Sequence, residues 1–382
     1  MSEPSYVALD IKPGAAFESQ SGLQAGRPRI YGALSGPQRG RIGAIVMHPT
    51  SNLMGHYLLE PLARRRISVL ALNSRYAGND CVLLMERVIQ DLGVGVKWMR
   101  ERFEKVMLIG NSGGASLTAF YAAQAEKLTI KDTPAGDPME LTQDEFPRVD
   151  GIALMAAHLG RSRLMSRQID AAVTDERDLL ARDPSLDIYD PMHRLPFDPA
   201  FVQRIRAAQE ARIDRITHWA KARLRHLRSL PEPVQDEAFV VYRTYADPRF
   251  IDLTLDPNDR KPGGNRGVGG GDGRSGARAA NYSVNNLARY TSLTAWLSQW
   301  SAESRADGPA NLAKTSIPVL NLEFTADGSI FPSDILEWSK ACVGREERHR
   351  IQPGTHYLRG QPQLIEQTAD LFAEWATRKA AA

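Results

Sequence analysis

The chain has 382 residues, of which 42% are hydrophobic and 24% are charged, a composition typical of globular proteins. That apolar fraction excludes a chain that is disordered throughout, and the longest apolar runs are far shorter than the roughly 20 residues needed to cross a bilayer. The 48 basic and 45 acidic residues give a net charge of +3, which is too even to indicate nucleic acid as a partner.

The two cysteines, Cys81 and Cys342, are too few for a disulfide framework or a four-thiolate zinc site. No His-Glu-x-x-His or paired-cysteine spacing occurs, so we expect neither a metal ion nor a cofactor. The first residues lack a basic start followed by an apolar stretch, which indicates no secretion signal. We therefore predict a cytoplasmic protein that does not bind a membrane. Its oligomeric state stays open, with a homo-oligomer as one alternative.

Apolar runs alternate with helical patterns in the first part of the chain. Buried strands are predicted at residues 43–47, 67–72, 105–109 and 149–155, and helices at residues 55–66, 81–103 and 113–128. Asp80 is the expected N-cap of the second helix. Continuous apolar strands between helices predict a parallel sheet covered on both faces. Residues 1–40, rich in Gly, Pro, Ser and Ala, are expected to form a short hairpin or an arm.

The pattern changes between residues 158 and 309 and then returns. The changed region holds a basic helical stretch at 199–230, a Gly-rich loop at 262–276 and a helical segment at 284–300. After it come a strand at 317–324, a helix at 332–342, a short strand at 348–352 and a helix at 361–378. We therefore expect an α/β core in two parts, at residues 1–157 and 310–382, interrupted by a mainly helical cap insertion at 158–309.

Two features of the insertion have more than one interpretation. The Gly-rich loop lacks Gly-Lys-Ser/Thr, so it is not a phosphate-binding loop; we interpret it as a mobile linker, with a lid hinge as the alternative. The basic stretch is interpreted as a solvated or oligomer-facing helix. The alternative is a landing surface for an anionic substrate, such as a CoA thioester or a carboxylate-bearing ester. Its basic residues are Arg204, Arg206, Arg212, Arg215, Lys221, Arg223, Arg225 and Arg228.

The clearest local motif is the run Gly110-Asn111-Ser112-Gly113-Gly114, which follows a predicted strand directly and precedes a predicted helix directly. It fits Gly-x-Ser-x-Gly, in which a sharp turn exposes the serine Oγ at the carboxyl end of the sheet. The glycines allow the strand and the helix to approach closely. Ser112 is therefore the candidate nucleophile, and the alternative is a chance Gly-rich turn.

A serine hydroxyl needs a base, usually a histidine that a carboxylate orients. His356 is the candidate base, because it lies in a loop after the last strand and downstream of both the serine and the acid. Asp327 follows the preceding strand and is the candidate acid, with Asp334 and Glu323 as rivals. Three other histidines lie near the carboxyl ends of strands and could line a pocket: His48, His56 and His158.

Such a site also needs two donors that face the developing negative charge on the substrate oxygen. We expect one to be the backbone N–H of Gly113, next to the serine. The other should come from the loop after the first long strand, where Pro49 has no N–H and Thr50 is the candidate. His48, in the same loop, either contacts the substrate or is a satisfied structural histidine.

Together these residues resemble the α/β-hydrolase superfamily, over about residues 41–158 and 318–375. The resemblance rests on His48-Pro49, the Ser112 turn, Asp327 and Gly354-Thr-His356. It implies an eight-stranded, mostly parallel sheet with a cap inserted after the sixth strand, and a catalytic triad. A serine at position 112 argues against the dehalogenases and epoxide hydrolases of this superfamily, which use a carboxylate nucleophile.

The expected function is hydrolysis of a carboxylic ester, with a small-molecule ester or related acyl compound as substrate. Two alternatives use the same three side chains, namely a thioesterase and a carbon–carbon bond hydrolase, because the triad does not choose among them. A third alternative is a non-catalytic ligand-binding protein with this fold.

Overall fold

The computed structural model describes residues 3–14, 27–261 and 273–381. Ten strands occur in these ranges: β1 (Ser5–Asp10), β2 (Arg29–Ser35), β3 (Gly40–His48), β4 (Ser68–Asn73), β5 (Phe103–Asn111), β6 (Gly151–Met155), β7 (Ala238–Val240), β8 (Tyr290–Ser292), β9 (Val319–Phe324) and β10 (Glu346–Ile351). Eight of them form one sheet in the order β1-β2-β4-β3-β5-β6-β9-β10. The short strands β7 and β8 pair with each other.

Parallel pairing dominates the large sheet, as the sequence predicted. The six strands from β4 to β10 in that order are parallel, whereas β2 pairs antiparallel with both β1 and β4. The inner strands β4, β6 and β9 are buried along their whole length, which explains why most of their residues are apolar. The eight-stranded, mostly parallel sheet is therefore confirmed, and the N-terminal segment contributes the antiparallel pair at one edge.

The described residues also form ten α-helices: α1 (Leu59–Arg64), α2 (Met85–Arg100), α3 (Gly114–Glu126), α4 (Arg161–Gln168), α5 (Pro199–Arg228), α6 (Gly273–Tyr282), α7 (Leu293–Gln299), α8 (Gly308–Leu312), α9 (Pro332–Ala341) and α10 (Pro362–Ala381). Helices α2, α3 and α8 pack on one face of the large sheet, and α1 and α10 on the other. None of them combines the length and the hydropathy that a bilayer-spanning helix needs.

Helix α2 begins later than the sequence predicted. Its first residue is Met85, and Leu84 occupies the N-cap position without a side-chain hydrogen bond. The expectation that Asp80 caps this helix is therefore wrong. The carboxylate of Asp80 accepts a hydrogen bond from Arg161 Nη1 at 3.0 Å. The carboxylate expected to cap the helix therefore binds a residue distant in the sequence.

The chain between β6 and β9 carries helices α4 to α8 and the β7–β8 pair. Its longest helix, α5, starts where expected because Asp198 accepts hydrogen bonds from the N–H groups of residues 200 and 201 and Pro199 occupies the first turn. The apolar side of α5 packs on α7 around Trp296 and Trp300, both fully buried. Residues 262–272, which hold most of the Gly-rich loop, lie outside the described residues.

Candidate active site

Ser112 lies in a sharp turn between β5 and α3. Its φ of +56° is in the left-handed region, which a non-glycine residue occupies only when its surroundings hold it there. Two backbone hydrogen bonds supply that restraint. The N–H of Ser112 donates to the carbonyl of Met155 at the end of β6, and its own carbonyl accepts from the N–H of His158. The turn therefore places Ser112 at the carboxyl edge of the sheet.

The glycines around Ser112 are required by close contacts. A Cβ at Gly110 would lie 2.6 Å from Ala115 Cα, and a Cβ at Gly114 would lie 2.4 Å from the carbonyl oxygen of Met47. A Cβ at Gly113 would lie 2.7 Å from His48 Nε2. Helix α3 thus packs directly on the backbone of β3, and the imidazole of His48 fills the space where residue 113 has no side chain.

The structure brings Ser112, His356 and Asp327 into one line of hydrogen bonds. His356 Nε2 lies 3.0 Å from Ser112 Oγ, and His356 Nδ1 lies 2.7 Å from Asp327 Oδ2. A carboxylate accepts, so Nδ1 carries the proton and Nε2 is free to accept the serine proton. All three residues are at most 4% exposed. In this arrangement a hydroxyl can transfer its proton to an imidazole as it attacks an electrophile.

Backbone contacts fix the separation of the acid and the base. The N–H of Thr325 donates to the carbonyl of Ile351, and the N–H of Ala326 donates to that of Gly354, so the loops after β9 and β10 are joined. Asp327 Oδ1 accepts hydrogen bonds from the N–H groups of Ser329, at 2.7 Å, and Ile330, at 3.1 Å. The second oxygen of this carboxylate is thereby aimed at the imidazole.

The two rival acids have other partners. Glu323, which is buried within β9, accepts a hydrogen bond from Arg348 Nη2 at 2.5 Å. Asp334 lies in the first turn of α9, where it accepts from the N–H of Phe331 and pairs with Arg167 at 2.5 Å. Neither carboxylate is directed at His356, so Asp327 is the acid that the geometry favours.

The loop after β3 differs from the expectation. The N–H of Thr50 donates to His48 Nδ1 at 3.1 Å, and the N–H of Ser51 donates to the same atom at 2.9 Å. The N–H that the sequence assigned to an oxyanion therefore points at His48. Burial, together with the positive charge of Arg161, holds the pKa of His48 well below its usual value, so this imidazole is neutral at neutral pH.

Two other histidines support the turn, and the motif alone did not reveal their roles. His56 Nε2 donates to Asn111 Oδ1 at 3.0 Å, and Asn111 Nδ2 donates to the carbonyl of Met155. Burial lowers the pKa of His56 to about 4, and burial beside His356 lowers the pKa of His158 to about 3. The rings of His158 and His356 lie 5.7 Å apart. The imidazoles of His56 and His158 are therefore neutral at neutral pH.

Arg161 and Tyr357 complete the surroundings, and sequence reasoning missed both. Arg161 Nη2 donates to Thr50 Oγ1 at 2.9 Å, so helix α4 supports the loop after β3. The ring of Tyr357 packs edge-on against His356 with 4.5 Å between centroids. Burial raises the pKa of Tyr357, while the adjacent hydroxyl of Ser112 acts in the opposite direction. Tyr357 is 44% exposed, so part of this residue reaches solvent at the edge of the site.

Comparison with known proteins identifies the fold and goes no further. No family model matches the sequence, and no curated protein matches it. A structure described as a DcsB complex with its substrate analogue is similar over 97% of this chain and 98% of that chain, with 12% identity and a TM-score of 0.52. An esterase domain from a Rhodothermus marinus protein covers 99% of both chains at 12% identity, with a TM-score of 0.45. The order of the sheet and the turn after β5 agree with the resemblance in the sequence, and the chain has the α/β-hydrolase fold.

Proposed function

We propose that this protein is a serine hydrolase that cleaves a carboxylic ester through an acyl-enzyme intermediate. The observation that carries the proposal is the hydrogen-bonded line from Ser112 through His356 to Asp327. The strained turn at Ser112 and the doubly anchored carboxylate of Asp327 support it, because both fix reacting groups in place before a substrate binds.

In the proposed reaction, Ser112 Oγ attacks the ester carbonyl carbon while His356 Nε2 takes the hydroxyl proton. The electron pair of the carbonyl moves onto its oxygen, which accepts a hydrogen bond from the N–H of Gly113. When the C–O bond to the alcohol breaks, His356 returns the proton to the leaving oxygen. Water then attacks the acyl-serine by the same route, and Asp327 stabilises the imidazolium that forms in each half-reaction.

The ion pairs along α5 argue against that helix as a landing surface for an anionic substrate. Six of the eight basic residues along α5 are paired with carboxylates: Arg206, Arg212, Arg215, Lys221, Arg223 and Arg228. Pairing of this kind neutralises a surface that a CoA group would otherwise use. An ester without further charged groups is therefore the better candidate substrate. The test below includes a CoA thioester as the alternative.

We further propose that residues 158–309 act as a cap over the site, with the core divided at residues 1–157 and 310–382. Contacts between this segment and the acid loop support that role. Asn258 Nδ2 donates to the carbonyl of Asp327 at 2.8 Å, and the N–H of Asp259 donates to the carbonyl of Thr325 at 2.8 Å. A cap held in this way excludes water from the reacting groups.

The test compares the wild-type chain with Ser112→Ala. We expect wild type to hydrolyse p-nitrophenyl butyrate and to form a covalent adduct with a fluorophosphonate at residue 112, located by peptide mass spectrometry. The variant should do neither. Ser116→Ala is the matched control, because Ser116 is also buried, lies in the first turn of α3 and, among the described residues, its hydroxyl donates to the carbonyl of Gly113.

Each alternative predicts a different result in the same experiment. Faster turnover of butyryl-CoA than of the aryl ester would identify a thioesterase, and turnover of a vinylogous diketone would identify a carbon–carbon bond hydrolase. A folded wild-type chain that forms no adduct at Ser112 would overturn the enzymatic proposal in favour of a ligand-binding role.

A further inference from the structure

The imidazole of His48 lies beside the residue that follows Ser112. His48 ends β3, which pairs in parallel with β5, the strand that leads into the Ser112 turn. The ideal Cβ position of Gly113 is 2.7 Å from His48 Nε2 and 3.4 Å and 3.5 Å from its two neighbouring ring carbons. The ring therefore points at residue 113 with Nε2 foremost. This places Nε2 at the residue whose N–H is the first proposed oxyanion donor.

The position of the proton on His48 follows from its other ring nitrogen. Nδ1 accepts hydrogen bonds from two backbone N–H groups, those of Thr50 at 3.1 Å and Ser51 at 2.9 Å. An atom that accepts cannot carry a proton itself, so the neutral ring holds its single proton on Nε2. Burial lowers the pKa of His48, so the ring is neutral at neutral pH.

The three residues directly after His48 do not offer the second donor from their backbone. Pro49 has no N–H, and the N–H groups of Thr50 and Ser51, all within the described part of the chain, both point at His48. The N–H groups of the loop thus point at the Nδ1 edge of the ring, and the opposite edge presents Nε2–H toward residue 113.

From this geometry we propose that the Nε2–H of His48 is the second oxyanion donor, acting with the N–H of Gly113 on the substrate oxygen. This inference rests on the proposed function of the site. As Ser112 Oγ bonds to the carbonyl carbon, the electron pair moves to the oxygen, and His356 takes the serine proton. His48 keeps its own proton throughout and contributes a hydrogen bond that is strongest when the oxygen is negatively charged.

Two substitutions separate this catalytic role from a structural one. In His48→Gln, the amide nitrogen takes the position of Nε2, so a donor toward Gly113 is retained. In His48→Asn, the amide oxygen takes the position of Nδ1, so the acceptor for Thr50 and Ser51 is retained and the donor is lost. For p-nitrophenyl butyrate we expect kcat to fall about 10²- to 10³-fold in His48→Asn and by less than about tenfold in His48→Gln.

We expect KM to change little in either variant, because the donor acts on the transition state rather than on the bound ester. The opposite ranking, with His48→Asn close to wild type and His48→Gln strongly impaired, would show that His48 only holds the loop and would overturn the inference. Urea unfolding of both variants separates a loss of turnover from a loss of folded protein.

A second measurement uses the wild-type chain, so it does not depend on whether a variant folds. With ¹⁵N-labelled histidine, the His48 signals should show a protonated Nε2 and an unprotonated Nδ1 that accepts hydrogen bonds. Adding a trifluoromethyl ketone that forms an adduct with Ser112 should move the Nε2 proton downfield as it bonds to the new oxyanion. An adduct without any change at His48 overturns this inference alone. Failure to form the adduct overturns the proposed function and the inference together.

Discussion

Replacing Gly113 by alanine should slow ester hydrolysis while leaving the fold nearly as stable. The added Cβ would lie 2.7 Å from His48 Nε2, and ordinary van der Waals contact begins at 3.4 Å, so the ring must move by about 0.7 Å. It can move, because the contacted atom is the end of a side chain. The backbone itself suits alanine, since φ at residue 113 is −62°.

The size of each effect follows from that displacement. A shift of this order at a catalytic centre can cost about 10²-fold, so we expect kcat to fall roughly 10- to 100-fold. Alanine at a helix N-cap costs up to about 1 kcal/mol, and the loss of a glycine from the unfolded chain returns about 0.4–1 kcal/mol. The free energy of unfolding should therefore change by less than about 1 kcal/mol.

The assay measures kcat and KM on p-nitrophenyl butyrate and the free energy of unfolding in urea. Gly114→Ala is the matched control, because its Cβ would lie 2.4 Å from the backbone oxygen of Met47, which cannot move without shifting β3. We expect this control to lose about 1–3 kcal/mol of stability. If Gly113→Ala keeps kcat within about twofold of wild type, or is as unstable as Gly114→Ala, the assignment of His48 to the site is refuted.

Replacing Asp327 by asparagine should lower kcat about 10⁴-fold, because an amide no longer selects the tautomer of His356 that accepts the serine proton; a loss below about tenfold in steady-state assays would contradict its role as the acid. Burial lowers the pKa of His56 to about 4, so its contribution to stability is complete above about pH 6.5 and is lost, by about 3 kcal/mol, as the pH falls to about 4. Urea unfolding across that range should show a smaller pH dependence in His56→Gln, and parallel curves for the two proteins would exclude this linkage. Asp170→Ala leaves the fully buried Arg243 without its closest carboxylate and should lower the free energy of unfolding in urea by about 3–5 kcal/mol. A variant as stable as wild type would contradict the importance of this ion pair for stability.

The large sheet was predictable because burial on both faces leaves a direct mark on the sequence. Strands such as β4 and β6 are apolar at nearly every position, so their runs stand out without any partner being known. The Ser112 turn was predictable for a steric reason, since backbone atoms occupy the places where Gly110 and Gly114 would carry a Cβ. The order of serine, acid and base along the chain then favoured His356, and the position directly after β9 favoured Asp327 over its rivals Asp334 and Glu323.

What could not be predicted depends on partners that are distant in the sequence. Asp80, the expected cap of α2, instead pairs with Arg161, 81 positions later, and no local pattern encodes that pair. The direction of the Thr50 N–H was missed because it depends on the orientation of one imidazole, which its contact with Gly113 constrains. Apolar periodicity indicates which side chains are buried, and it carries no information on how a buried polar ring is turned.

The serine precedes its histidine by 244 residues, and the whole inserted segment lies between them. Under the proposed mechanism, Ser112 lacks the base His356 until the C-terminal part of the chain has been made and β10 has joined the edge of the sheet. If the proposed mechanism holds, formation of an adduct at Ser112 reports that the C-terminal strand has docked. The reagent that tests for catalysis can thus also be used, in a time course, to follow the last step of assembly of the fold.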